Sequence, residues 1–185
     1  ETEPLWVGQA DAYELAAPED VVEAVVFLVR PGQPTHALVS PAAGAALAGP
    51  SIHPRSEWAA RSPKATPVNA ADLKMAVVHH SVTGNSYSAA DVPEILRSIQ
   101  AYHMDGRGWD DIAYNFAVDR FGRVWEARAG GTTRVVVGGH AYGFNTFNTG
   151  VVVLGDYSST APTDAAVDAV VELLASVRAP SRGID

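Results

Sequence analysis

Apolar and polar positions along the chain first indicate where its β-strands lie. Residues 73–80 (LKMAVVHH) form a nearly continuous apolar run, and residues 148–157 (NTGVVVLGDY) contain another. Runs of this length are typical of strands that are covered on both faces. Residues 111–128 carry two apolar runs separated by DRFG, which predicts a β-hairpin with a tight turn.

Two other segments follow the spacing of an amphipathic helix. The first begins after Asp91, a predicted N-cap with Glu94 three residues later, and its apolar face carries Val92, Ile95, Leu96, Ile99 and then His103. The second begins near Thr163, with an apolar stripe of Val167, Val170, Val171 and Leu174. Since strands alternate with helices, the predicted class is α/β (mixed α+β), with a central mixed sheet flanked by helices.

The first fifty residues differ from the rest in composition. Residues 1–40 are predicted to be a short N-terminal β segment, and residues 41–51 (PAAGAALAGPS) read as a linker. A two-stranded piece is marginal alone, so we expect it to pack on the main domain or to be the end of an upstream domain. The main domain is predicted to span residues 52–185, and the initial Glu1 indicates a processed or trimmed N-terminus.

Composition and charge narrow the possible functions. With 185 residues, 47% of them hydrophobic and 18% charged, the chain is predicted to be globular. Its formal net charge of −8 argues against a nucleic-acid partner. The absence of cysteine excludes a disulfide and a thiolate ligand or nucleophile. No apolar run reaches the roughly 18 residues that a transmembrane segment needs.

The first candidate functional residues are the adjacent histidines His79 and His80. Successive side chains on a strand point to opposite faces, so at most one of the pair can serve a given site. The same pattern is also typical of a strand that ends in a polar turn with both histidines partly exposed. Two polar loops supply further candidates: residues 101–116 carry His103, Trp109 and Tyr114, and residues 138–150 carry His140 and Asn145.

Common catalytic motifs are absent from the sequence. There is no His-Glu-x-x-His zinc-protease helix, no Gly-x-Ser-x-Gly nucleophile elbow and no glycine-rich phosphate loop. The remaining candidates are therefore the histidines and their aromatic and amide neighbours.

Four segments, taken together and in order, resemble the peptidoglycan recognition protein family, the type 2 N-acetylmuramoyl-L-alanine amidase fold. They are RSEWAA (55–60), KMAVVHHSVTGN (74–85), residues 99–128 and residues 138–157, and the resemblance covers roughly residues 52–178. It implies a groove for the glycan and stem peptide of peptidoglycan. It also implies zinc-dependent hydrolysis of the amide between N-acetylmuramic acid and L-alanine, by a protein that is secreted or associated with the cell wall.

The resemblance also assigns roles to individual residues. It implies that His79 is the first Zn²⁺ ligand and that Tyr114 assists catalysis, although Ala113 stands where a glycine is usual. The groove histidine of the family, which does not bind the metal, corresponds to His140. The resemblance also places His103, Trp109 and Asn145 in the groove that binds muropeptides. His80 is expected to be a structural residue, a neighbour of the metal ligand or a further substrate contact.

One departure from the family concerns the metal. The other two ligands come from a C-terminal His-Arg-Asp motif, but here no histidine follows His140 and the sequence ends SVRAPSRGID. We expect the chain to be a piece of a longer amidase. The alternatives are a non-catalytic peptidoglycan-binding module, a replacement ligand from His140 or His103, and a protein-interaction domain without a glycan groove. The stem-peptide preference and the oligomeric state stay open.

Overall fold

The computed structural model describes residues 49–70 and 73–177. The predicted β segment and most of the predicted linker lie outside these residues. The described elements, in chain order, are β1 (Ile52–His53), a 3-10 helix (Arg55–Trp58), β2 (Met75–His80), α1 (Val92–Ala101), a π-helical turn (Tyr102–Gly106), β3 (Phe116–Val118), β4 (Val124–Glu126), β5 (Asn148–Val153) and α2 (Asp164–Val177).

The strands form one mixed sheet in the order β1-β4-β3-β5-β2. The β3–β4 pair is antiparallel, and the β1–β4, β3–β5 and β2–β5 pairs are parallel. The predicted mixed sheet with flanking helices is therefore confirmed. Neither helix within the described part of the chain is both long and apolar enough to cross a bilayer.

Each face of the sheet carries its own apolar core. On one face, Trp58 and Leu96 pack with Val152 of β5, which places α1 and the 3-10 helix there. On the other face, Leu173 of α2 packs with Val151. Every residue of β5 is buried, as the sequence predicted for this strand.

The predicted burial of the first apolar run was wrong. Among the described strands, β2 lies at the edge of the sheet, its burial alternates along its length, and Ala76 and Val78 are exposed. An edge strand has a neighbour on only one side, so the apolar content of the run does not ensure cover on both faces. The alternation directs Met75, Val77 and His79 toward the face that α1 covers.

The hairpin is confirmed, and its turn is held by one carboxylate. Asp119 is completely buried and accepts hydrogen bonds from the backbone of Phe121, from Arg123 and from the indole of Trp125. Gly122 adopts φ 81°, the left-handed conformation that favours glycine at this position of the turn.

Two details of the helices differ from the sequence prediction. The Asp91 carboxylate does not cap α1, because it accepts hydrogen bonds from the backbone and hydroxyl of Ser88 instead. In α2 the buried positions are Ala166, Ala169 and Leu173. Val170 and Leu174 of the predicted stripe pack partly buried against the same core, whereas Val167 and Val171 are exposed. The buried face of α2 therefore lies toward Ala166 and Ala169, and the predicted stripe is only partly correct.

Candidate functional site

The end of β2 brings His79 to the histidine of a distant loop. His79 pairs in register with Val152, whose side chain belongs to the core on the α1 face. On that face, His79 Nε2 lies 2.9 Å from Nδ1 of His140. Because the two atoms are within hydrogen-bond distance, one ring donates and the other accepts.

Three more rings complete what we call the aromatic cluster: His79, His103, Trp109, Tyr114 and His140. The Tyr114 ring lies 5.3 Å from that of His79, 5.6 Å from that of His103 and 6.4 Å from that of His140. The rings of His103 and Trp109 are 4.9 Å apart. Each pair lies within the range of favourable ring contacts, so the cluster is continuous from the sheet edge to the π-helical turn.

The π-helical turn positions the His103 end of the cluster. It follows α1 directly, and Trp109 donates its backbone N–H to the His103 carbonyl at 3.0 Å. His103 Nδ1 accepts a hydrogen bond from the backbone of Ala113. In the neutral ring, Nε2 therefore carries the proton.

Backbone geometry around two glycines makes room for the His140 ring. A Cβ atom at Gly150 of β5 would lie 2.2 Å from His140 Cδ2, and one at Gly138 would lie 2.6 Å from the same atom. The loop itself is held by Asn145, whose Oδ1 accepts from the backbone N–H groups of His140 and Ala141 at 3.0 and 2.9 Å. The imidazole ring thus lies against Gly150 of β5, beside the end of β2.

Burial keeps the inner histidines neutral. It lowers the pKa of His140 to about 4, with a smaller contribution in the same direction from His79. It also lowers the pKa of His103 to about 4, assisted by the positive charges of Arg107 and Arg128. Burial raises the pKa of the Tyr114 hydroxyl. At neutral pH the cluster therefore offers hydrogen-bond donors and acceptors with no charge on His103, His140 or Tyr114.

Comparison with known proteins identifies the family. A family profile described as N-acetylmuramoyl-L-alanine amidase matches residues 69–184. The chain belongs to the N-acetylmuramoyl-L-alanine amidase family. The resemblance to peptidoglycan recognition proteins is confirmed as well. Peptidoglycan-recognition protein SC2 of Drosophila simulans is 38% identical over 138 residues, which are 75% of this chain and 72% of that protein.

A human protein and a solved structure extend the comparison. The human N-acetylmuramoyl-L-alanine amidase is 36% identical over 137 residues, covering 70% of this chain and 22% of that protein. Peptidoglycan recognition protein-LE, crystallised with tracheal cytotoxin (a monomeric diaminopimelic acid-type peptidoglycan), matches with a TM-score of 0.62 and 34% identity. That match covers 67% of this chain and 71% of the solved chain.

In this member of the amidase family, the residues singled out from the sequence separate into two places. His79, His103, Trp109, Tyr114 and His140 form the aromatic cluster, and Asn145 holds the loop that carries His140. The structure does not bring His80 to them. Its Nδ1 accepts from the backbone of Tyr157 at 3.0 Å and lies 3.6 Å from a carboxylate oxygen of Asp156, on the α2 face.

The amidase family implies zinc, and the donor set of the cluster falls short of what a zinc site requires. A catalytic zinc site normally has three protein ligands. Within residues 49–70 and 73–177, no group of three histidine, aspartate or glutamate side chains could hold a metal. His79 and His140 are close, but they face each other through a hydrogen bond. The described residues alone therefore do not fit a zinc site.

Sequence reasoning missed two residues at the floor of the cluster. Gly150 makes room for the His140 ring, and Asn148, two residues earlier on the same face of β5, is completely buried beside it. The isolated glycine within the apolar run NTGVVV was a usable signal, since a glycine inside a strand often marks the close approach of another group. Asn148 gave no such signal.

Proposed function

We propose that this chain binds muropeptides, the glycan–peptide units of bacterial peptidoglycan, at the aromatic cluster. The observation that carries the proposal is the packing of the rings of His79, Tyr114 and His140 into one group at the sheet edge, in a chain of the amidase family. A related protein has been crystallised with a monomeric peptidoglycan, which supports the choice of ligand. A peptidoglycan ligand places the protein outside the cytoplasmic membrane, secreted or associated with the cell wall.

The chemistry of the cluster suits an amide-rich and sugar-rich ligand. Trp109 is 36% exposed and lies beside His103, so it can offer an apolar surface to a sugar ring. The neutral imidazoles of His103 and His140 and the Tyr114 hydroxyl can donate to and accept from acetamido and peptide groups. These contacts require no positive surface, in agreement with a net charge of −8.

The finer proposal is that the domain hydrolyses the amide between N-acetylmuramic acid and L-alanine with zinc as its cofactor. His79 is the residue that would contribute to holding the metal, and further ligands must come from outside the described residues. The Tyr114 hydroxyl would donate a hydrogen bond to the carbonyl oxygen on which negative charge develops. Removing one such donor commonly costs about 3 kcal/mol of activation free energy.

The alternative proposal is a non-catalytic recognition module that binds muropeptides without cleaving them. The zinc amidase needs further ligands from outside the described residues, whereas the recognition module needs none. Both proposals predict muropeptide binding, and only hydrolysis separates them.

The test measures binding and cleavage on the same 185-residue chain. Calorimetry with a purified muropeptide should give a dissociation constant in the micromolar range or tighter, and no binding would overturn both proposals. Mass spectrometry of the same mixture, with and without added Zn²⁺, then detects released peptide. Release supports the amidase, whereas binding without release in any metal condition shows that this chain by itself acts as a recognition module.

Tyr114→Phe tests the finer proposal wherever turnover is measured. The variant should slow turnover about 100-fold, because the oxyanion loses one donor. Muropeptide affinity should change only a few-fold, since the ring and its contacts with His79 and His103 remain. Full turnover in Tyr114→Phe would show that the hydroxyl has no catalytic role.

A further inference from the structure

The π-helical turn at the end of α1 positions two members of the aromatic cluster. It contains His103, whose carbonyl accepts from the backbone N–H of Trp109 at 3.0 Å. Its defining bond runs from the Arg107 N–H to the carbonyl of Tyr102, five residues earlier, at 3.0 Å. Turns of this kind are rare and occur mostly as single insertions within α-helices. Because an α-helical continuation is the ordinary alternative, the contacts around the turn must select the π-helical form.

Two positive side chains from residues 61–64, a segment that we call the clamp, contact the turn. Lys64 donates from its ammonium group to the carbonyl of Met104. The guanidinium of Arg61 pairs with the carboxylate of Asp105 through two nitrogen–oxygen contacts of 2.5 and 3.1 Å. The last turn of α1 has no basic residue of its own. The clamp therefore supplies the positive charge that is favourable at the carboxyl end of a helix.

Backbone bonds anchor the clamp to the chain on both sides of the turn. The side-chain amide of the fully buried Gln100 accepts from the backbone N–H of Arg61 at 2.9 Å and donates to its carbonyl at 3.0 Å. The backbone N–H of Lys64 donates to the carbonyl of Asp110 at 2.8 Å. Since residues 100 and 110 flank the turn, these bonds hold the clamp in place while its two charges act on the turn itself.

We propose that Arg61 and Lys64 are positioning residues that keep the turn π-helical and thereby hold His103 and Trp109 in the aromatic cluster. An α-helix rotates by about 100° per residue. A return to α-helical geometry, with one residue fewer in the turn, would therefore rotate the chain that follows by about this angle relative to α1. The Trp109 ring would then leave the His103 ring, whose centroid now lies 4.9 Å away.

The exposure of the ion pair makes this role distinguishable from general stabilisation. Arg61 and Asp105 have side chains that are 49% and 58% exposed. Exposed pairs contribute little to the free energy of unfolding, because solvent screens them. Loss of the clamp charges should therefore change the turn and its neighbours, while the rest of the fold stays as it is.

NMR of the tryptophan indole N–H groups tests the inference without any ligand. The Trp109 signal is assigned by its loss in Trp109→Phe, and Trp125, whose indole donates to Asp119, is the internal reference. In the double variant with Arg61→Gln and Lys64→Met, the Trp109 signal should shift while that of Trp125 stays. The matched control Lys74→Met, at an exposed lysine before β2, should move neither. An unmoved Trp109 signal in the double variant, or equal movement of both signals, overturns the inference.

Exchanging the charges of the ion pair gives an independent test. Asp105→Arg should displace the Trp109 signal, because two positive side chains then face each other. Adding Arg61→Asp should restore the signal, since the pair can form again with the charges reversed. A signal that stays displaced in the exchanged pair overturns the positioning role of Arg61.

Muropeptide binding is a further readout, and this part rests on the proposed function. In calorimetry the double variant should bind a purified muropeptide about tenfold more weakly, whereas Lys74→Met should bind as the unsubstituted chain does. If the unsubstituted chain binds no muropeptide, the proposed function fails, while the NMR result still decides the role of the clamp. Unchanged binding in a double variant whose Trp109 signal has moved would overturn the link between the clamp and the ligand.

Discussion

Replacing Gly150 with alanine should displace the His140 ring from the sheet. The added Cβ would lie 2.2 Å from Cδ2, 2.4 Å from Nε2 and 2.5 Å from Cγ of that ring. Contacts this short cannot be relieved by bending, so the ring must rotate or the loop must shift. The bond between His79 and His140 is then lost.

Two opposing contributions set the change in the free energy of unfolding that Gly150→Ala causes. Overpacking of a filled site costs about 1–3 kcal/mol. Alanine in place of glycine within a strand stabilises the fold by about 0.5–1 kcal/mol, because the unfolded chain has less conformational entropy to lose. The free energy of unfolding should therefore fall by about 1–2 kcal/mol, which lowers Tm by roughly 2–4 °C per kcal/mol for a chain of this size. Muropeptide affinity should fall about tenfold through the lost contact.

A double-mutant cycle isolates the clash from other effects of Gly150→Ala. In a His140→Ala background the ring is gone, so the same glycine substitution should be neutral or stabilising in urea unfolding. Gly84→Ala is the matched control for the single variant, because a Cβ atom there meets nothing within 4 Å. Equal destabilisation by Gly150→Ala in both backgrounds would refute the steric argument.

Three further predictions concern the fold, its pH dependence and the cluster surface. Asp111→Asn should lower the free energy of unfolding by about 3 kcal/mol in urea, because the buried carboxylate pairs with Arg55, whereas the exposed Asp110→Asn should change it little. The pKa of His103 is about 4 when folded and near 6.5 when unfolded, so stability should be constant above pH 6.5 and fall below it. Between about pH 7 and pH 5 His103 should contribute about 2 kcal/mol of this loss, and His103→Gln should remove that part and leave the part that comes from His140. Trp109→Ala should weaken muropeptide binding about tenfold in calorimetry, while the exposed hairpin-turn variant Phe121→Ala should not.

Local sequence signals were sufficient to predict the hairpin and the buried strand β5. The DRFG motif located the hairpin turn correctly. Asp119 accepts backbone hydrogen bonds within the turn and Gly122 adopts its positive φ, so the turn depends only on residues close in sequence. The apolar run of β5 predicted a buried strand, which the structure confirms. These features depend on residues close in sequence, so pattern and turn chemistry determine them.

Features that depend on distant partners were not predictable in the same way. Whether β2 has one neighbour or two is a property of the whole sheet, and its composition alone suggested cover on both faces. The face of α2 was predicted only in part: Val170 and Leu174 pack against the core, but hydrophobicity also favoured Val167 and Val171 over the buried Ala166 and Ala169. The contact of His79 with His140 spans 61 residues, and only the family resemblance brought the two loops together beforehand.

The neighbours His79 and His80 show how one strand end serves two environments. Their side chains alternate across β2, so His79 meets His140 on the α1 face while His80 accepts from the Tyr157 backbone on the α2 face. Alternation alone does not create the aromatic cluster, because a side chain at residue 150 would occupy the space of the His140 ring. The cluster therefore requires both the strand pleat, which aims His79, and a glycine on the adjacent strand, which admits its partner. A one-residue shift of β2 against β5 would exchange the faces of the two histidines and remove the cluster.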